Sequence, residues 1–202
     1  MSEENELIFN IITLGDAAVG KTSIIRRYIY GSFDENSLST IGLQFSFKTL
    51  TLKNKKVIKL KLVDTAGQEK YRSLTQSYYK NADAALFVFS LDNIQSFQTI
   101  NDWIQQFKDN HENGEKIPKY LVGNKNDLER KVSQELIDEL NKKINFKYIS
   151  TSAKNNDNID FLFEEVGEEL FKRYKPTKNQ KKLNFKQKQF KNYKCSLCNE
   201  HK

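Results

Sequence analysis

Eight residues, Gly15-Asp16-Ala17-Ala18-Val19-Gly20-Lys21-Thr22, constrain this chain more than any other feature. They have the spacing G-x-x-x-x-G-K-[ST], with an apolar run from Leu7 to Leu14 before them and a helix-forming stretch from Thr22 to Tyr30 after them. Strand, tight loop and helix is the order such a loop needs. Gly15 and Gly20 let the backbone wrap closely, so that successive N–H groups and the helix N-terminus face a phosphate. In that arrangement Lys21 reaches the terminal phosphates and the Thr22 hydroxyl faces a metal ion, with Ala18, Val19 and Ser23 in the same cradle.

The rest of the chain repeats the strand-and-helix order. Phe45 to Leu52 and Val57 to Val63 alternate apolar and polar residues on either side of Lys53-Asn54-Lys55, which predicts a hairpin at a sheet edge. Ala84–Leu91, Ile94–Asn110, Tyr120–Val122, Ser133–Lys143, Phe146–Ile149 and Ile159–Tyr174 then alternate strand with helix. The expected fold is α/β: a six-stranded, mostly parallel sheet with one antiparallel edge strand and helices on both faces. Ligands of such sheets bind beyond the carboxyl ends of the strands, which directs attention to the loops after Leu14, Val63, Val122 and Ile149.

Each of those loops carries a motif. Residues 64–69 read D-T-A-G-Q-E: Asp64 is placed to hold a Mg²⁺ shell, Gly67 to offer an N–H to a γ-phosphate, and Gln68 to orient an attacking water. Residues 124–127 read N-K-N-D. A carboxylate such as Asp127 matches the two donors on one edge of guanine, whereas adenine would leave it unpaired. Asn124 can tie this segment to the phosphate loop while the Lys125 stem covers a base face. Residues 152–154, Ser152-Ala153-Lys154, follow the next strand, and the Ala153 N–H can meet the guanine O6. Phe33, after the first helix, is a candidate for the base edge or its other face.

Charge divides the chain unevenly. From Lys172 onward there are 11 Lys/Arg against one acid, Glu200, leaving 22 basic and 25 acidic residues before it. A domain over residues 1–174 and a flexible basic tail over residues 175–202 are expected. Acids rather than basic residues at the N-terminus, and an Ala84–Phe89 apolar run too short to span a bilayer, give no export or membrane-crossing signal. Cys195 and Cys198 both lie in the tail, so the body has no disulfide and a cytoplasmic setting is expected. The tail lacks an ordered aromatic platform for stacking bases, so nucleic acid is not expected as a partner.

G-D-A-A-V-G-K-T, D-T-A-G-Q-E, N-K-N-D and S-A-K, in this order, resemble the motifs of the Ras superfamily of small GTPases over roughly residues 7–174. Within it, S-T-I-G-L-Q-F at 39–45 and Y-R-S-L-T-Q-S-Y-Y-K-N-A at 71–82 are similar to the two Rab switch regions. The resemblance implies the P-loop GTPase fold, GTP and GDP bound with Mg²⁺, and slow hydrolysis with Gln68, Lys21 and Thr40 as the reacting-end residues. It implies Thr22, Thr40 and Asp64 around the metal. Partners implied are an exchange factor, a GTPase-activating protein and effectors through loops 33–45 and 65–82, in vesicle traffic on the cytoplasmic face of an intracellular membrane. A scaffold that holds nucleotide without turning it over is the competing reading. The chain departs from the Rab pattern at Ala17, Ser37, Gln44 and Val63, the last standing where Rabs carry Trp and altering an exposed aromatic patch with Phe45 and Tyr79. Its end, C-S-L-C-N-E-H-K, has no C-a-a-X or paired-Cys form, so prenylation at Cys195 or Cys198 is open while the polybasic stretch favours an anionic membrane.

Overall fold

Ile8–Leu14 forms β1, the strand around which the sheet is arranged, and its side chains alternate between two apolar layers. The computed structural model describes residues 6–35, 40, 42–65 and 78–174. Glu6–Lys172 make one compact unit, and Arg173 and Tyr174, the last described residues, lie outside it.

From β1 the chain passes through a turn into helix α1 (Lys21–Tyr30), then into strands β2 (Leu43–Thr51) and β3 (Val57–Thr65). Next come β4 (Ala84–Ser90), helices α2 (Ile94–Gln98) and α3 (Ile100–Asn110), and β5 (Lys119–Asn124). Helix α4 (Gln134–Ile144), β6 (Lys147–Ser150) and helix α5 (Ile159–Arg173) complete the order. The six strands lie in the order β2-β3-β1-β4-β5-β6, all parallel to their neighbours except the β2–β3 pair. This is the expected sheet: crossover helices permit parallel neighbours, while the short Lys53–Lys56 turn forces β2 and β3 antiparallel.

Side-chain alternation divides the core. Ile12 and Leu14 join Phe87, Phe89, Phe97, Phe107, Leu121 and Phe146 in one buried cluster. On α1 and α5, Tyr28 stacks on Phe163 with ring centroids 4.0 Å apart, and Phe163 is wholly buried. Burial of a side chain of this size contributes on the order of 2–3 kcal/mol. Gly167 of α5 permits a close approach to the sheet, since an added Cβ would lie 2.4 Å from Leu50 Cδ2.

Two sequence expectations need correction. Ile94–Asn110 is two helices, not one: Thr99 interrupts the run at φ −78°, ψ −7°, with its hydroxyl donating to Asp16 Oδ2 at 2.8 Å. Asn93 starts the first of them by accepting from the Gln95 and Ser96 N–H groups. The aromatic patch is formed differently as well. Tyr79 is buried and meets Phe107 edge to face, and it is Tyr78 whose ring lies 5.2 Å from the exposed Phe45. Adjacent helical residues point about 100° apart, so only one of two neighbouring tyrosines can face the solvent side of β2. Val63 is buried in the core cluster.

Candidate functional site

The strands run further than their motifs implied. Asp64 and Thr65 are still in the β3 ladder opposite Gln44 and Leu43, and Asn124 pairs with Ser90 at the end of β5. The carboxyl ends of β1 and β3 are laced together, with Thr13 Oγ1 donating to the Val63 carbonyl (3.1 Å) and Thr65 Oγ1 to the Thr13 carbonyl (2.6 Å). Motif side chains are thus mounted on rigid ladder ends rather than on free loops.

Between β1 and α1 the chain turns through Gly15 at φ 144° and Gly20 at φ 96°. A Cβ on Gly15 would fall 2.0 Å from the Val88 carbonyl oxygen, and one on Gly20 2.2 Å from Asn124 Nδ2. Neither position admits a side chain. Ala18 also sits at positive φ, 61°, where a Cβ is strained by about 1 kcal/mol. Ala18→Gly is expected to stabilise the fold by roughly 0.5–1 kcal/mol, read as a higher urea midpoint at unchanged slope.

Lys21 is 5% exposed and donates to the Gly15 carbonyl (2.9 Å) and the Asp16 carbonyl (2.7 Å). Burial pulls its pKa down to about 8, against the opposing pull of Asp64 and Asp16. The Asp16 carboxylate is itself held, accepting from Thr99 Oγ1 and from Trp103 Nε1, each at 2.8 Å. Thr22 Oγ1 lies 2.6 Å from Thr40 Oγ1 and donates to Asp64 Oδ2 at 2.6 Å. Burial raises the Asp64 pKa, partly offset by the Thr22 hydrogen bond and by Lys21.

Asp64 Oδ1 is buried with no hydrogen-bond partner. Two hydroxyls and a carboxylate with an unsatisfied buried oxygen form a set of hard oxygen donors, which fits Mg²⁺.

At the other end, Asn124 Nδ2 donates to the Val19 carbonyl (2.9 Å), while its Oδ1 accepts from Thr151 Oγ1 (3.2 Å) and from the Ala153 N–H (3.4 Å). One side chain therefore links the phosphate loop to the loop after β6. Ser152 donates to Asp127 Oδ1 and accepts from the Asn155 N–H, so it orients the carboxylate and does not reach the cavity wall.

A cavity of about 410 Å³ joins the two ends. Its walls include Ala18, Gly20, Lys21, Thr22, Ser23 and Thr40 at one end. Phe33, Asn124, Lys125, Asp127, Ala153 and Lys154 line the other. Of the predicted residues, Gly15, Val19, Asp64 and Ser152 stand behind this wall. Gly67 and Gln68 lie outside the described residues, as do Ser37 and the tail with Cys195 and Cys198. Among the wall residues that sequence reading missed are Glu35, Thr65 and Leu128. Glu35 pairs with Lys154 at 2.6 Å across the mouth, an exposed contact worth less than about 1 kcal/mol. Thr65 lies within D-T-A-G-Q-E but was assigned no role there, and no motif covers Glu35 or Leu128. No triad of His, Cys, Asp and Glu able to hold a metal occurs among the described residues, in keeping with a site built on hydroxyls.

The family model for the Ras family matches residues 10–172. The chain belongs to the Ras family. Its similarity to Rab proteins within that family is extensive. Ras-related protein Rab-30 of Homo sapiens is 39% identical over 166 residues, covering 81% of this chain and 80% of that protein. Rab-11B of Dictyostelium discoideum is 41% identical over 165 residues, 81% and 74% of the two chains. Rab-13 of Bos taurus is 34% identical over 172 residues, 84% and 83%. This Ras-family member is a Rab-like small GTPase, which binds guanine nucleotides, hydrolyses GTP and meets regulators and effectors as a switch. A turnover-free scaffold is not favoured.

Proposed function

We propose that GTP lies in this cavity with its phosphates along residues 15–23 and its base between Asp127, Lys125, Phe33 and the 152–154 loop. A single observation supports the reading: Lys21 and Thr22 share one cavity with Asp127 and Ala153. On nucleotide entry Lys21 exchanges its two carbonyl partners for phosphate oxygens, and its buried position strengthens that contact. Asp127, held by Ser152, accepts from the two guanine donors.

Thr22 and Thr40, with Asp64 through water, would hold Mg²⁺. Once bound, the ion supplies positive charge that stabilises phosphate oxygens during transfer. Thr40 senses the γ-phosphate, Gly67 donates an N–H to it and Gln68 orients the water. Loss of that phosphate frees loops 33–45 and 65–82, so partners read the nucleotide as loop order. No arginine lines the cavity among the described residues, so a GTPase-activating protein supplies the missing cation and hydrolysis without it is slow.

Nothing among the described residues is a helix long and apolar enough to cross a membrane. The protein acts in vesicle traffic, held to the cytoplasmic face of an intracellular membrane by the basic tail, with or without a lipid on Cys195 or Cys198. The test is titration of nucleotide-free protein with GDP, GTP and ATP in Mg²⁺, followed by single-turnover hydrolysis. Guanine-only binding with slow turnover, slowed a further tenfold or so by Gln68→Leu, is the expected result. ATP binding of equal strength would overturn the base assignment.

A further inference from the structure

Helix α1 begins at the phosphate loop, and its last turn carries a side chain that no sequence motif marks. Arg27 donates through Nε to the Ala153 carbonyl (2.8 Å) and through Nη2 to the Lys154 carbonyl (2.9 Å). Its Nη1 donates to the Gly31 carbonyl (2.6 Å), just past the end of the same helix. We propose that Arg27 is the positioning residue for the 152–154 loop, clamping it to α1 so that the Ala153 N–H stays aimed at the guanine O6.

This inference rests on the guanine-nucleotide reading above. Three features carry it. The guanidinium is a rigid planar fork, and three carbonyls converge on it, one from Gly31 four residues on and two from Ala153 and Lys154, 126 and 127 residues further along the chain than Arg27. Arg27 holds the two peptide planes that follow Ala153 and Lys154, while the Asp157 N–H holds the Ser152 carbonyl at 2.9 Å in the plane that carries the Ala153 N–H, so the Arg27 bonds fix the C-terminal side of Ala153 and limit its swing about that anchored plane. Opposite them, Asn124 Oδ1 holds the same N–H only at 3.4 Å, a long contact that a ligand oxygen can replace. The clamp is thus stronger than the bond it leaves for the ligand to displace.

A cation here is well placed for a second reason. Arg27 stands in the last turn of α1, where the helix dipole presents partial negative charge, and the Gly31 N–H caps the Arg27 carbonyl at 2.9 Å. Because Lys21 and Thr22 open the same ten-residue helix, α1 is a rod with the phosphate site at one end and the base loop fastened to the other. A lysine ammonium has three donors but no planar fork, so it would bind the carbonyls as a point charge and hold the loop less firmly in one orientation.

The full chain as wild type, Arg27→Ala, Arg27→Gln and Arg27→Lys provides the test, with dissociation rates measured for GDP, IDP and 6-thio-GDP. IDP lacks the 2-amino group that Asp127 reads; 6-thio-GDP keeps it but weakens the acceptor at position 6. Arg27→Ala should speed GDP release about tenfold, the loss of charge-assisted bonds that are partly open to solvent. It should narrow the preference for GDP over 6-thio-GDP while leaving that over IDP intact, and single-turnover hydrolysis of bound GTP should stay at the wild-type rate. Arg27→Lys should recover part of the loss, and Arg27→Gln keeps a polar group should the alanine variant fold poorly. An equal loss for all three nucleotides, or release from every variant at the wild-type rate, would overturn the proposal. Wild type that binds ADP as well as GDP would instead remove the guanine reading, and the clamp's purpose with it.

Discussion

Asp127→Ala is expected to weaken GDP binding about a thousandfold while leaving the far weaker binding of ADP unchanged. Two hydrogen bonds to a charged acceptor contribute roughly 2 kcal/mol each, and 4 kcal/mol is about three decades in affinity. The carboxylate is positioned before the ligand arrives, because Ser152 donates to it and is itself bound by the Asn155 N–H. Little binding energy is therefore spent on ordering it. Competition titrations of GDP and ADP against a fluorescent nucleotide measure both constants. A variant that loses GDP and ADP together would show that Asp127 supports the loop and does not read the base.

Lys21→Met should separate binding from stability in opposite directions. Nucleotide affinity should fall at least a hundredfold, since the other wall lysines, Lys125 and the exposed Lys154, stand at the opposite end of the cavity and cannot replace a buried ammonium facing phosphates. The nucleotide-free fold should become more stable, by about 1–2 kcal/mol. Burial holds the Lys21 pKa near 8 in the fold, against 10.5 in the unfolded chain. Between those two values the unfolded chain keeps a proton that the folded one has released, so Lys21 makes stability rise with pH across that window. Below about pH 8 both states carry the charge and its burial costs the full amount, on the order of 3 kcal/mol before the two carbonyl bonds are set against it. Methionine removes the charge and keeps the volume. Denaturant melts of nucleotide-free protein from pH 7 to 10.5 should show the rise in wild type and lose it in Lys21→Met.

The contrast between what the residues disclosed and what they hid has a physical basis. That Lys21, Thr22, Asn124 and Asp127 gather around one cavity, with Asp64 bound to Thr22 behind it, was legible because each stands in a motif next to a strand end or helix start, and such loops converge at the carboxyl edge of a parallel sheet. The mostly parallel sheet with its antiparallel edge strand was legible because alternation with helices demands parallel neighbours and a short turn demands an antiparallel pair. Arg27, Trp103 and Thr99 were not. Their partners are main-chain carbonyls and the Asp16 carboxylate, reached through the tertiary fold, and any long or polar side chain on an exposed helix face looks the same in one dimension. The Thr99 interruption was hidden for the same reason: its cause lies 83 residues away in the phosphate loop. Tyr78 and Tyr79 could be told apart only by the phase of the helix that carries them, which their own sequence does not state.

The unpaired Asp64 oxygen has a consequence for the life of the molecule in a cell. Asp64 keeps one buried oxygen without a hydrogen-bond partner, and the buried Lys21 ammonium is held by main-chain carbonyls alone, so every nucleotide bound to the folded protein adds stability by mass action. A freshly made chain that meets no GDP or GTP is then the copy proteases reach first. Steady-state abundance would follow the guanine nucleotide supply, so that starving cells of guanine would shorten this protein's half-life before it altered any signal the switch conveys.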